Sequence, residues 1–190
     1  MPPSRCYRGE MKSKISRKLV IDASVAQSSG GPEATKPSST LCRDFMLNTL
    51  EVCHRLVMTT DIREEWDKHQ SKFAKSWRAS MVSRRKFLFA RNCENAQLRQ
   101  TIGNLPEFHW PVAAMLKDIH LIEAALSGDR IVISVDDAAR THFARVSFVA
   151  AQIKEVVWRN PVTEMDLGMW LEKGAKAEAS MKLGFAPKSR

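Results

Sequence analysis

Four short apolar runs constrain this chain more than any other feature. They are Lys18-Leu-Val-Ile-Asp22, Arg55-Leu-Val-Met-Thr59, Arg130-Ile-Val-Ile-Ser134 and Glu155-Val-Val-Trp158. Runs of this length, without polar alternation, fit strands covered on both faces, as in parallel sheets. Stretches with helical spacing separate them. The expected fold is therefore α/β with three layers, a central, mostly parallel sheet of about four to five strands flanked by helices.

At 190 residues the chain fits one domain. Residues 1–17 read as a basic flexible arm, 18–176 as the folded domain and 177–190 as a flexible tail, frayed from Ala179. Between the apolar runs the pattern predicts a Ser/Gly/Pro-rich loop from Gln27 to Thr40 and a helix capped by Thr40 and running to about His54. A long helical stretch is expected from about Asp61 to Gln100, bent at most near Ser80 or Ser83. A helix over Ala113–Leu126 should stop at Gly128. Asp136 or Asp137 should cap a helix running to about Phe148. Asn160-Pro161 should turn the chain into a last helix from Thr163 to about Lys176.

Thirty Lys and Arg against 21 Asp and Glu leave a net charge of +9. Such a balance points to a polyanionic partner, nucleic acid before anionic membrane. No apolar stretch is long enough to span a bilayer, and no secretion signal is visible. The basic arm lacks an apolar face that would lie on a membrane. Cys6, Cys42, Cys53 and Cys93 have neither zinc-site nor redox-pair spacing, which fits a reduced, cytoplasmic setting.

Against this positive background, Asp22, Glu65, Asp118 and Asp136 sit at the edges of expected strands and helices. Asp22 ends the first run and Asp136 follows the third. Glu65 lies a helical turn beyond the second, and Asp118 lies on the helix leading to the third. Parallel strands bring their carboxyl ends to one edge, where such side chains can converge. Carboxylates alone repel a nucleic acid. A divalent cation removes that conflict, since Mg²⁺ takes oxygen ligands and can assist phosphodiester hydrolysis. Each acid also has an ordinary reading: Asp22 as a turn residue, Glu65 and Asp118 as solvated helix residues, Asp136 as a cap.

The order and wording of these segments resemble the PIN-domain family, the fold of VapC-type toxin ribonucleases. The matching stretches are Leu19-Val-Ile-Asp22-Ala-Ser24, Thr60-Asp-Ile-Arg-Glu-Glu65-Trp66, Asp118-Ile-His120-Leu-Ile-Glu-Ala-Ala125 and Ile131-Val-Ile-Ser134-Val-Asp136. The resemblance spans about 18–176 and includes the closing Asn160-Pro161. It implies a PIN-like fold and a metal-dependent endoribonuclease, in which Asp22, Asp118 and Asp136 hold Mg²⁺ or Mn²⁺ and Glu65 completes the acidic pocket. Glu64 is one register away. Ser24 would position the metal, a phosphate or the loop of Asp22. The implied substrate is single-stranded or looped RNA. Implied partners are a small antitoxin protein and a second copy of the chain. The arm, the loop after Asp22 and the enlarged helical region before Asp118 depart from the family pattern and bear on substrate choice.

Within that helical region Lys68, Lys72, Lys75, Arg78, Arg84 and Arg85 form an acid-free basic series. On one continuous helix, Ile62, Trp66, His69, Phe73 and Trp77 would make an apolar stripe. Glu65, Lys68, Lys72 and Lys75 would then lie on the neighbouring face, as a ridge tracking a phosphate backbone towards the acids. The aromatics are expected in the core. His120 is expected to pack behind Asp118 as a structural residue. The alternative function is a non-catalytic nucleic-acid-binding protein on a decayed PIN-like fold.

Overall fold

The structure, a computed structural model, describes residues 15–186; most of the expected basic arm (1–14) and the C-terminal residues 187–190 lie outside the described residues. Five strands form one all-parallel sheet: β1 (Lys18–Ile21), β2 (Arg55–Met58), β3 (Phe87–Phe89), β4 (Ile131–Ile133) and β5 (Val157–Arg159), in the order β3-β2-β1-β4-β5. The central strands are the ones whose runs are most continuously apolar. Val20 pairs with Val57 on one side and Val132 on the other, and all three are buried.

Eight α-helices flank the sheet: α1 (Ala23–Ser28), α2 (Pro37–Glu51), α3 (Thr60–His69), α4 (Lys72–Ser83), α5 (Ala96–Gly103), α6 (Val112–Leu126), α7 (Asp137–Val146) and α8 (Leu167–Glu172). Helix α2 packs with α1, α4 and α8, whereas α6 lies along β1 and β4 and packs with α5 and α7. The result is the three-layer α/β fold expected from the apolar runs.

The long helix expected over 61–100 is instead α3, α4, strand β3 and α5. Gln70 is extended (ψ 139°), and the Ser71 hydroxyl accepts from the Ala74 amide to start α4 afresh. The Ser71 amide is used elsewhere, donating to the Ala26 carbonyl. Strand β3 is three half-buried residues at the sheet edge, entered through Arg85 in the left-handed region (φ 57°). So short an edge strand carries little apolar signal, and its pairing with β2 decides its conformation.

Smaller corrections share a cause, local capping. Thr40 does not cap α2. Pro37 occupies the first turn, which suits its fixed φ, and the Thr40 hydroxyl donates to the Pro37 carbonyl inside the helix. The loop expected over 27–40 is therefore shorter at both ends. Gly128 follows α6, but the left-handed residue of that turn is Arg130 (φ 60°). The last helix is only Leu167–Glu172. The tail expected to fray from Ala179 is docked within its described part: Leu183 is buried, and its amide donates to the Val156 carbonyl at 2.8 Å. At the other end of the domain, the Arg17 amide donates to His54 Nδ1 at 3.0 Å, so the foot of the arm is fixed too.

Candidate functional site

The strand order places one seam at the centre of the sheet. The chain moves outward from β1 through β2 to β3, then returns to lay β4 and β5 on the other side. The carboxyl ends of β1 and β4 flank that seam, the position at which open α/β sheets bind ligands. Asp22 is the first residue beyond β1, and its amide still donates to the Ile133 carbonyl at 2.9 Å, extending the ladder. Its side chain is held, not free. The hydroxyls of Ser24 (2.5 Å) and Ser134 (2.6 Å) both donate to Asp22 Oδ2.

Ser134 joins two acids. Besides donating to Asp22, its Oγ accepts from the Asp136 amide at 3.0 Å. Asp136 caps α7 as expected, with Oδ1 accepting from the Ala139 amide at 2.8 Å, and the residue stays exposed. Ser24 Oγ accepts from the Val135 amide at 3.3 Å, a second link across the seam. From the β5 side, buried Asn160 donates through Nδ2 to the Val135 carbonyl at 3.3 Å. The expected Asn160-Pro161 turn thus braces the loop that carries Asp136.

Asp118 comes to this group from mid-α6, half-buried. Burial is the main cause that raises its carboxyl above the usual carboxylate range. The negative charges of Asp22 and Asp136 raise it further, while Lys117 and His120 oppose them. That mutual influence is the direct sign that three of the four sequence-predicted acids share one site.

Glu65 joins through His120. Its Oε2 lies 3.4 Å from His120 Nε2. Helix α3 is set at this place by Trp66, which is fully buried and donates from Nε1 to the Ile21 carbonyl at 2.9 Å. The Glu65 backbone is therefore fixed one residue away from an anchor on the end of β1. Glu64 and Glu65 both line a hollow of about 220 Å³ with Asp61, Lys68, Lys117 and Arg99.

The expected basic ridge does not exist as one face, because α3 and α4 are separate helices. Lys68 stands at the acidic hollow. Lys72 and Lys75 are exposed on α4. Arg78 is held by Asp67 at 2.6 Å. Arg84 and Arg85 lie just before β3, at the sheet edge opposite Asp22. There Arg84 binds the Leu50 carbonyl (3.3 Å) and Glu51 (3.2 Å), and Lys86 binds the carbonyls of Leu50 and Val52. These cations satisfy the carboxyl end of α2, a structural task. The aromatic expectation is met: Trp66 and Trp77 stack in the core, centroids 6.1 Å apart.

Residues the sequence reading passed over are Ser134, Arg99 and Lys117. A hydroxyl two residues before a helix-capping Asp is a recognisable local pattern, and Ser134-Val135-Asp136 has it. Arg99 had no such signal. It makes a two-pronged pair with buried Glu123 (2.8 and 2.7 Å) that fastens α5 to α6.

Among the described residues, no three His, Cys, Asp or Glu side chains are gathered as a ready-made cage for a metal ion. The donors present are carboxylates and hydroxyls, which suit a hard cation. Mg²⁺ keeps several of its waters and needs only one or two protein carboxylates besides a phosphate ligand. The arrangement fits that mode of binding and not a closed tetrahedral site. Comparison with family models, curated proteins and solved structures finds no match to this chain. The chemistry has to be read from the site itself.

Proposed function

We propose that this chain is a metal-dependent endoribonuclease of the PIN type, hydrolysing phosphodiester bonds in single-stranded or looped RNA. The observation that supports it best is the raised carboxyl of Asp118, which burial and the charges of Asp22 and Asp136 push up at the central seam. Asp22, Asp118 and Asp136 would hold Mg²⁺ or Mn²⁺, and the bound ion supplies a water activated near neutral pH and charge neutralisation at the phosphate. Ser24 and Ser134 fix the Asp22 carboxylate in one orientation, so its other oxygen faces the site without conformational search. Glu65 completes the pocket. Lys68, Arg99 and Lys117, on the rim of the hollow, attract the phosphate backbone. The family resemblance extends the reading to the toxin of a toxin–antitoxin pair, with a small inhibitor protein and a homodimer.

A second reading, a non-catalytic nucleic-acid-binding protein on a decayed fold, draws on the lack of a ready-made metal cage among the described residues. Cleavage assays on RNA with Mn²⁺ or Mg²⁺ and a chelator control separate the two. Asp22→Asn and Asp118→Asn should each abolish cutting. Activity that survives both substitutions removes the nuclease reading, and tight binding without cleavage supports the second.

A further inference from the structure

A cleft of about 520 Å³ opens beside the acidic hollow, at the carboxyl ends of β2 and β3. Its lining includes Thr59, Phe89, Ala90, Asn92 and His120. Its size is that of a small-molecule site, and it offers an aromatic ring beside an amide and hydroxyls. His120 lines both the cleft and the hollow and so forms the wall between them.

His120 is buried, with 6% of its surface exposed. Its Nδ1 lies 2.9 Å from the Lys117 carbonyl oxygen. A carbonyl only accepts, so Nδ1 carries the hydrogen and Nε2 of the neutral ring presents a lone pair. That Nε2 has no hydrogen-bond partner in the protein, although Glu65 Oε2 lies 3.4 Å away. Two acceptors therefore face one another at the junction. A buried acceptor without a donor is costly, and two acceptors side by side call for a group that brings two hydrogens.

Resting on the nuclease reading above, we propose that the cleft is a nucleobase subsite, in which His120 Nε2 and Glu65 Oε2 together read the exocyclic amine of adenine or cytosine. The amine has two hydrogens, one for each acceptor. Guanine and uracil turn a carbonyl oxygen to the same edge and would set a third acceptor against the two. Phe89 supplies a ring on the wall of the cleft, the kind of surface on which single-stranded bases stack. His120 and Glu65 are thus specificity-determining residues, and RNA is held with an A or C next to the scissile phosphate.

The test uses short RNAs that differ in one group. At each position adenosine is exchanged for inosine, and cytidine for uridine. Binding is measured with the Asp118→Asn chain in chelator, and cleavage with the wild type in Mn²⁺. At one position the loss of the amine should weaken binding and kcat/KM at least tenfold. In His120→Gln the discrimination should shrink to near unity, since an amide both donates and accepts. Glu65→Gln, on the partly exposed partner, should reduce it too and covers the case in which the first variant fails to fold. Equal handling of adenosine and inosine and of cytidine and uridine everywhere overturns the subsite, whether or not RNA is cut. Discrimination that persists undiminished in a folded variant overturns it as well. Amine-dependent binding by a wild-type chain that cuts nothing leaves the subsite standing and removes the nuclease reading instead.

Discussion

The Ser134 hydroxyl donates to Asp22 Oδ2 at 2.6 Å across the seam between β4 and β1, and the same oxygen accepts from the Asp136 amide at 3.0 Å. One fully buried hydroxyl therefore sets the spacing of two acids from different strands. Ser134→Ala should leave both partners unsatisfied, at a cost of about 1–3 kcal/mol. In a domain of this size each kcal/mol lowers Tm by roughly 2–4 °C. Because the hydroxyl orients a proposed metal ligand, Mn²⁺ affinity should fall about 10–100-fold. Thermal melting with and without Mn²⁺ reads both effects. An Mn²⁺-dependent Tm rise unchanged from wild type would contradict the orienting role.

Asp118 makes the opposite prediction for stability. Its carboxyl is raised in the folded chain, first by burial and then by Asp22 and Asp136. A raised acid contributes stability while it is protonated. That contribution is lost as the pH climbs from the ordinary carboxylate range through the folded value, so at neutral pH the charge is a burden. Asp118→Asn should therefore raise the metal-free Tm by a few °C at pH 7 while abolishing the Mn²⁺-dependent rise and any cleavage. A metal-free Tm below wild type would mean that the carboxylate is stabilised in ways its neighbours do not account for.

How much of this could be read in the residues follows from where the determining interactions lie. The central strands and Asp22 were legible because Leu19, Val20 and Ile21 form an unbroken apolar run, which only a doubly covered strand needs. Asp136 was legible as a cap because capping is local. Strand β3 was not, since Phe87-Leu88-Phe89 is strand only by virtue of pairing with β2. The basic ridge failed for the same reason. Lys68 and Lys72 fall within one helical period on paper, but Ser71 spends its amide on Ala26, and the chain turns between them. Pairings across long separations, such as Arg99 with Glu123, carry no sequence period.

A pH-dependent limb should come from His54, far from the acids. It is fully buried, its Nδ1 accepts from the Arg17 amide at 3.0 Å and its Nε2 bonds the Leu171 carbonyl at 2.9 Å. Burial is the main cause that holds its pKa below the ordinary value, and the ring stays neutral. Unfolded, it titrates near pH 6.5. Stability is thus complete above about pH 6.5 and falls below it, by at most about 1.4 kcal/mol per pH unit, as the unfolded chain takes up a proton the folded one refuses. Melting of His54→Gln, whose amide can keep both hydrogen bonds, should lose this share of the acid-side decline. Parallel Tm–pH curves for the two proteins between pH 7.5 and 5 would assign the limb elsewhere.

The cations divide by edge of the sheet, and that division predicts which of them RNA feels. Lys68 lines the hollow with Glu65, whereas Arg84 is engaged with Leu50 and Glu51 at the opposite edge. For single-stranded RNA each phosphate neutralised contributes about 0.7 to the slope of log affinity against log salt. Lys68→Ala should weaken binding and flatten that slope by about this amount. Arg84→Ala should leave the slope alone and lower Tm by a few °C, since the carbonyl end of α2 loses a cation. Titrations of a short RNA at several salt concentrations measure both slopes. A flattening by Arg84→Ala equal to that by Lys68→Ala would mean that RNA follows α4 down to the far edge, and the backbone path would then run along the helix instead of across the seam.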